Sequence, residues 1–518
     1  MTVIECFLKQ AERYPEKTAV IFEDKNFSYN EVKDSISKTA GFLHGKGVGK
    51  GSKIILSLSN SPEFLFFMLA AADLGAVIVP LSITLSRKAI EKAIESSDAE
   101  FAVTESMNSR NFSELLDDDS VFTVSGSKSG NISESIFSSE LPGTDYKLGE
   151  NQLNPETDYI LTMTSVSTGN PKPIIFSQKN KILRGIKACA ELYNVKDNDV
   201  IITASPMYHS LGQRLALFPL MIGATTVIVK KFMPELWLKT VENYKVTFTI
   251  AVSSHLESIL RELKQREYDI SSLKTIVSSS SLLKNEAKQE CIKYFNCDFH
   301  ECYGTSEVGI VTNLYPEDTN IKLKSVGRPL PFVDMKIVDD SRQQQPPGIV
   351  GEIICSTPTL FSGYYKLPEK TAESVVDGYF YTGDLGKVDD DGYLYFCGRK
   401  KELIIVGGTN VYPGDVEEII NACSEVAECA VIGVEDSYFG EAVLAVIVPA
   451  VGENPEKAVR AARKACASSL ADYQQPMAYE VLSSLPKNAL GKLMKHKLLE
   501  QFKGYDATAK FRALRGIK

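Results

Sequence analysis

The stretch Leu161-Thr-Met-Thr-Ser-Val-Ser-Thr-Gly-Asn-Pro-Lys-Pro173 sets the end of an apolar run against a turn built of small hydroxyl residues. Residues 159–164 read as a strand, and Pro173-Ile-Ile-Phe-Ser177 reads as another. Between them, backbone N–H groups and the hydroxyls of Thr164, Ser165, Ser167 and Thr168, with Gly169 beside them, are suited to wrap phosphate oxygens. Lys172 adds a compact positive charge. The loop is not a Walker A sequence: G-x-x-x-x-G-K-[ST] is absent, and a strand rather than a helix follows. A Ser/Thr-rich turn alone is more often only a turn, so its weight depends on its surroundings.

Working outward, strand-like runs at 53–58, 76–79, 159–164, 200–203, 225–229, 247–251 and 275–277 alternate with amphipathic segments. This alternation predicts parallel α/β layers. The run 64–83 is almost wholly apolar, but Asp73, Gly75 and Pro80 divide it into a helical half and a β-like half. It reads as a buried helix–turn–strand unit rather than a membrane span. Residues 105–150 are polar and form the expected exposed connection. From about 325 the pattern changes to strands separated by turns, a small β-rich subdomain reaching to 399. A new alternation begins after Arg399. The expected organisation is therefore α/β, with an N-terminal domain over 1–399 and a C-terminal domain over 400–518.

Four further segments change the weight of the hydroxyl loop. They are Tyr303-Gly-Thr-Ser-Glu307, Tyr381-Thr-Gly-Asp384, Gly398-Arg-Lys-Lys-Glu-Leu-Ile-Ile-Val-Gly-Gly-Thr-Asn-Val-Tyr-Pro413 and Pro486-Lys-Asn-Ala-Leu-Gly-Lys492. In this order the set resembles the adenylate-forming superfamily of acyl-CoA synthetases, adenylation domains and beetle luciferases. The resemblance runs from Phe27-Ser-Tyr-Asn-Glu-Val32 to Lys492, nearly the whole chain. It implies a large N-terminal domain and a small mobile α+β C-terminal domain, a hinge at Lys400 and an active site between the two. The implied reaction is ATP-dependent activation of a carboxylic acid to acyl-AMP, then transfer to a thiol, with ATP, Mg2+ and coenzyme A as cofactors.

Such chemistry brings a carboxylate in line with the α-phosphorus of ATP, so converging anions must be neutralised and positioned. By resemblance, Thr164, Ser165, Ser167, Thr168, Gly169 and Lys172 hold the triphosphate. Glu307 and Thr168 hold magnesium, Glu307 as a hard oxygen ligand. Ser306, where the family often has Thr, reaches the α-phosphate; Tyr303 and Gly304 lie against adenine. Asp384 accepts from the ribose hydroxyls, and Arg399 adds a ribose or phosphate contact. His209, in Pro206-Met-Tyr-His-Ser-Leu-Gly212, lies by the acyl carboxylate. Lys492 bridges that carboxylate and the α-phosphate. Gly407 and Gly408 line the pantetheine tunnel after domain rotation. Ser279-Ser-Ser281 stands where Gly-Gly-Ala is usual, which puts Ser280 and Ser281 in the cofactor-binding set, on the wall of the acyl pocket. Two other departures are Val166, where Gly is usual, and Pro173 after Lys172.

Composition limits the partners. Lys+Arg 57 against Asp+Glu 66 gives a net charge of −9, against a nucleic-acid ligand. The tail from Lys487 carries nine basic and two acidic residues, suited to CoA phosphates or an acidic carrier protein. None of the ten cysteines forms C-x-x-C, and His44, His255, His300 and His496 show no ligand spacing. Reduced thiols and an amphipathic, signal-free start fit the cytoplasm. Amino-acid adenylation domains place an Asp for the ammonium in the segment matching 249–256, where this chain has no carboxylate. A small carboxylic acid, uncharged apart from its reacting group, is the expected substrate. The serine wall favours flat aryl or short-to-medium acids over long-chain ones. The alternative acceptor is a phosphopantetheinyl acyl carrier protein; a catalytically degenerate nucleotide-binding member ranks lower.

Overall fold

The apolar run at 64–83 folds as its composition dictates. Helix Pro62–Leu74 begins at the N-cap Ser61, whose hydroxyl accepts from Phe64 N, and stops at Gly75 in a left-handed conformation (φ 68°). Every residue of this helix except Glu63 is buried, which is why it lacks a polar stripe. Strand Val77–Pro80 follows at once. No helix among the described residues is long and apolar enough to cross a membrane.

The computed structural model describes residues 1–124, 146–163, 172–436, 439–488 and 491–507. The chain forms two compact units, one of Met1–Asp334 with Cys355–Phe380 and one of Met335–Ile354 with Tyr381–Lys518.

Two sheets carry the first unit. Seven strands run in the order Gly363–Tyr364, Pro173–Ser177, Asp158–Met163, Val77–Pro80, Lys53–Ser57, Phe101–Glu105, Val121–Val124. Nine run in the order Arg328–Pro329, Gly309–Leu314, Asp298–Thr305, Thr275–Ser279, Phe248–Val252, Val200–Thr203, Thr225–Ile228, Thr18–Phe22, Lys25–Ser28. Inner strands pair in parallel, as the helix-strand alternation predicts. The parallel expectation stops at the edge strands Arg328–Pro329 and Gly363–Tyr364, which pair antiparallel with Gly309–Leu314 and Pro173–Ser177. It stops too at three antiparallel hairpins: Asp158–Met163 with Pro173–Ser177, Asp298–Thr305 with Gly309–Leu314, and Thr18–Phe22 with Lys25–Ser28. Their connections are too short for a crossover, so the chain has to turn back. The first two hairpins carry the hydroxyl loop and the Ser306–Glu307 turn. Beneath the nine-stranded sheet, Trp237, Leu256, Ile259, Ile276 and Phe295 belong to one buried cluster.

In the second unit, Tyr379–Val388 and Leu394–Arg399 form a hairpin in which Asp384 stands opposite Arg399. A second sheet orders Thr409–Val411, Ile404–Val406, Gly440–Pro449 and Val426–Asp436, with Ala478–Val481 parallel to Gly440–Pro449. Its two long strands are apolar at successive positions because both faces are covered. Val431, Val443, Ala445 and Ile447 pack with Val416, Ile420, Ala458 and Ala462 of helices Pro413–Asn421 and Pro455–Ser469. Ala430, Ile432, Leu444 and Val446 pack with Leu498 of helix Lys495–Gln501. All ten cysteines are free thiols, and seven are buried. Burial pushes the Cys189 and Cys355 thiols up to about 12.

Candidate active site

In the first unit the site grows from the hairpin Asp298–Thr305/Gly309–Leu314. The register shifts between Tyr303 and Gly304. A side chain at Gly304 would begin 1.8 Å from Gly309 O, so this position has to be glycine. The tight closure projects Ser306 and Glu307 from the turn, with Tyr303 buried behind them.

A buried arginine holds this turn by its backbone. Arg184 Nη1 donates to Ser306 O (2.7 Å), Nη2 to Glu307 O (2.5 Å), and Nε and Nη2 to Thr359 O (2.9 and 2.8 Å). Its guanidinium also lies 4.3 Å from the Phe176 ring centroid. Arg184 belongs to a nine-residue π-helical stretch, Leu183–Glu191, that continues helix Gln178–Ile182. The Glu307 side chain is held separately: Tyr364 Oη donates to its Oε1 at 3.1 Å. Burial and then the Glu307 charge raise the Tyr364 phenol pKa, keeping it a donor. Lys172 Nζ stands 6.0 Å from the Tyr364 ring centroid. One tyrosine thus links the last residue of the hydroxyl loop to Glu307.

Among the described residues no cluster of three or more His, Cys, Asp or Glu forms a protein cage for a metal. A single fixed carboxylate is nonetheless what Mg2+ requires when substrate phosphates and waters complete its shell. Glu307 fits that role. Thr164, Ser165, Val166, Ser167, Thr168 and Gly169 lie outside the described residues.

His209 is the N-cap of helix Ser210–Ile222. Its N–H donates to Pro206 O at 3.0 Å, closing the turn that presents the ring. The P-x-x-H-x-x-G spacing has a steric basis, because a Cβ on Gly212 would sit 2.3 Å from Pro206 O. Burial lowers the His209 pKa to about 4, so the imidazole is neutral. On the serine wall, Ser280 adopts a left-handed φ of 76°. Ser280 and Ser281 are both exposed, and Ser253 Oγ donates to Ser281 O at 2.5 Å.

In the second unit, Asp384 is only 5% exposed, and its Oδ1 lies 3.4 Å from Arg399 Nε. Lys492 comes from a tight turn. Lys492 N donates to Asn488 Oδ1 and Asn488 N to Lys492 O, both at 2.9 Å, and Gly491 has φ 74°. The Lys492 side chain is exposed, yet protein crowding its ammonium, followed by the Arg399 charge, lowers its pKa. Asp384 and Glu402 act in the opposite direction. Gly407 and Gly408, with φ 56° and 83°, form the two-residue turn between Ile404–Val406 and Thr409–Val411. Lys400 Nζ pairs with Asp340 (2.8 Å) and Glu352 (3.0 Å).

Arg184 and Tyr364 escape the sequence reading. Arg184 acts on carbonyl oxygens, which carry no side-chain signature, and Tyr364 is one of two adjacent tyrosines with nothing to separate them.

A family model described as AMP-binding enzyme matches residues 7–365, and one described as AMP-binding enzyme C-terminal domain matches 415–492. The chain belongs to the AMP-binding enzyme family of the adenylate-forming superfamily, in its acyl-CoA synthetase branch. It is 30% identical over 501 residues to an indoleacetate–CoA ligase of Aromatoleum aromaticum, covering 96% of this chain and 97% of the relative. A fatty acid–[acyl-carrier-protein] ligase of Streptomyces coeruleorubidus is 26% identical, covering 98% and 97%. The solved o-succinylbenzoate CoA synthetase of Bacillus subtilis, in complex with its acyl-adenylate intermediate, superposes with TM-score 0.84 at 26% identity, covering 95% and 97%.

Proposed function

We propose that this ligase converts a carboxylic acid and ATP to acyl-AMP and pyrophosphate, then transfers the acyl group to coenzyme A. The observation that carries the reading is the Ser306–Glu307 turn, fixed by Arg184 through its carbonyls and by Tyr364 through the Glu307 carboxylate.

In the first step a carboxylate oxygen attacks the α-phosphorus, and the bond to pyrophosphate breaks. Magnesium held by Glu307 and Thr168 would supply charge neutralisation at the phosphates. Thr164, Ser165, Ser167, Thr168, Gly169 and Lys172 wrap the triphosphate, and Ser306 reaches the α-phosphate. Tyr303 and Gly304 take adenine; Ser280 and Ser281 complete the wall. Asp384 accepts from the ribose hydroxyls, with Arg399 beside it. His209, neutral across ordinary pH, donates one N–H to the acyl carboxylate. The Lys492 ammonium bridges the two reacting anions. In the second step the thiol sulfur attacks the acyl carbon and AMP leaves, with Gly407 and Gly408 lining the pantetheine path. Rotation about Lys400, between domains 1–399 and 400–518, exchanges the two loops.

The aryl acid in the name of the indoleacetate ligase supports an aryl or short-to-medium acid here, and free thiols support a cytoplasmic setting. The test is ATP–pyrophosphate exchange over a panel of acids, followed by thioester formation with free CoA and with a holo-carrier protein. Exchange with at least one acid and faster turnover with CoA are expected. Faster turnover with the carrier transfers the second half-reaction to the alternative acceptor.

A further inference from the structure

A lysine carries its charge on a flexible four-carbon stem, so the Lys492 ammonium is placed only as well as the backbone beneath it. The turn that bears it has a shape of its own. Met494 N donates to Pro486 O at 2.8 Å, Lys487 and Leu493 form a β-bridge, and the Asn488–Lys492 contacts close the tip. All of these lie within residues 486–494, so they fix the form of the turn and not where it points.

Two ion pairs tie its legs to the rest of the second unit. On the leading leg Lys487 Nζ meets Glu428 Oε1 at 2.6 Å, with 39% of each side chain exposed. Water screens a pair of that kind, and it holds little. On the trailing leg, three residues past Lys492, Lys495 Nζ meets Glu417 Oε1 at 2.7 Å, with the side chains 13% and 20% exposed. The same Glu417 oxygen accepts from Val431 N at 2.7 Å, so the acid is fixed both to helix Pro413–Asn421 and to strand Val426–Asp436. Burial raises the Glu417 pKa, and the Lys495 charge works against that rise. Lys495 also reaches a third segment: Glu402 Oε2 lies 3.8 Å from its Nζ. Glu402 stands two residues beyond Lys400 and just before strand Ile404–Val406, which leads into the Gly407–Gly408 turn.

Helix stability does not account for this lysine. Lys495 is the first residue of helix Lys495–Gln501, where the backbone dipole favours an acid and disfavours a cation. Its charge serves the two acids instead, and those acids hold the leg of the turn. Arg399 and Asp384 are among the charges that act on the Lys492 ammonium, which sets the tip of the turn by the hairpin assigned to the ribose. We infer that Lys495 is a positioning residue for acyl-AMP formation: by clamping the trailing leg to Glu417 and Glu402 it aims Lys492 at the reacting anions, without touching them itself. This rests on the proposed function and adds to it a residue outside the set that contacts substrates.

The test reads the two half-reactions separately. Lys495→Met keeps the stem and removes the charge. It should lower acyl-AMP formation about 10–100-fold, the scale of a misplacement near 1 Å. The loss should fall on kcat, with the KM for ATP and for acid moved less than about threefold. Conversion of supplied acyl-AMP to thioester should also stay within about threefold, which shows in the same preparation that the variant is folded. Lys495→Arg should recover most of the loss, and Glu417→Gln, which keeps an acceptor for Val431 N, should reproduce part of it. In a Lys492→Ala background, Lys495→Met should cost nothing further, because its effect runs through Lys492. Equal losses in both half-reactions would make Lys495 a brace for the whole unit and overturn the inference. Additive losses in the double variant would put Lys495 on the reactants themselves and overturn it as well. Unchanged acyl-AMP formation in Lys495→Met does the same, and each of these results leaves the ligase reading intact. A wild-type enzyme that activates no acid in a wide panel defeats that reading and this inference with it.

Discussion

The guanidinium of Arg184 donates to the main-chain oxygen of Glu307 at 2.5 Å, so the backbone beneath the carboxylate to which the proposed mechanism assigns magnesium is held by a buried arginine. Lysine cannot reproduce a fork that reaches three carbonyls. Arg184→Lys is expected to cut acyl-AMP formation at least tenfold and to raise the Mg2+ concentration needed for half-maximal exchange. Tyr364→Phe removes one hydrogen bond to a charged acceptor, worth about 1.5–3 kcal/mol, and should raise that requirement about tenfold or more with kcat less affected. A Mg2+ dependence identical to that of the unaltered enzyme in both variants would show that the turn needs neither support.

Ser280 holds a left-handed backbone at φ 76°, a conformation that costs a residue with a Cβ about 1–2 kcal/mol. Ser280→Gly relieves this but loosens the unfolded chain, leaving a net gain of about 0.5–1 kcal/mol. Urea unfolding should give a higher midpoint at unchanged slope. Because the position is exposed on the expected acyl wall, the same variant should accept bulkier acids. A lower midpoint would contradict the strain argument.

His209, His255 and His300 each have a pKa lowered to about 4, chiefly by burial. In the unfolded chain they titrate near 6.5, so between pH 4 and 6.5 the unfolded state binds more protons. Stability should therefore rise with pH through that window, by about 1–3 kcal/mol for each histidine, and level off above it. His300→Gln, which can keep the contact to Asn313 Nδ2 now made at 3.0 Å, should flatten the slope. Exchange activity should show no inflection at pH 6–7 from His209.

Lys492 and Gly408 serve different half-reactions in the proposed mechanism. Lys492→Ala should lower acyl-AMP formation about 10²–10³-fold, the usual loss for one preorganised charge contact, yet convert supplied acyl-AMP to thioester. Gly408→Leu should do the reverse. Its positive φ of 83° means any side chain strains the turn, so Gly408→Ala is the control: it shares the strain without the reach. Equal impairment of both half-reactions by both variants would remove the division of labour.

The strands at 53–58, 200–203 and 275–277 are legible because β-branched runs between amphipathic helices have few alternatives, and the structure forms Lys53–Ser57, Val200–Thr203 and Thr275–Ser279. The antiparallel hairpins are less so, since orientation depends on connection length rather than on the strands themselves. Motif resemblance points to Glu307, His209 and Asp384 directly. It says nothing of what aims them. Arg184 works through backbone oxygens, and its π-helical setting has no sequence period of its own. At Ser280 the sequence suggests a change of pocket size; the structure adds a backbone conformation that residue identity alone does not disclose.

The buried free thiols have a practical consequence. Cys189, Cys302 and Cys355 belong to one unit, Cys429 and Cys466 to the other. Each sulfur is nearly unreactive while enclosed, because its thiolate cannot form there. Alkylation rates, read cysteine by cysteine under native conditions, would thus chart how often each region breathes open. The wild-type chain carries this set of internal clocks without any label being engineered into it, and the two units can be timed separately in one experiment, with and without nucleotide.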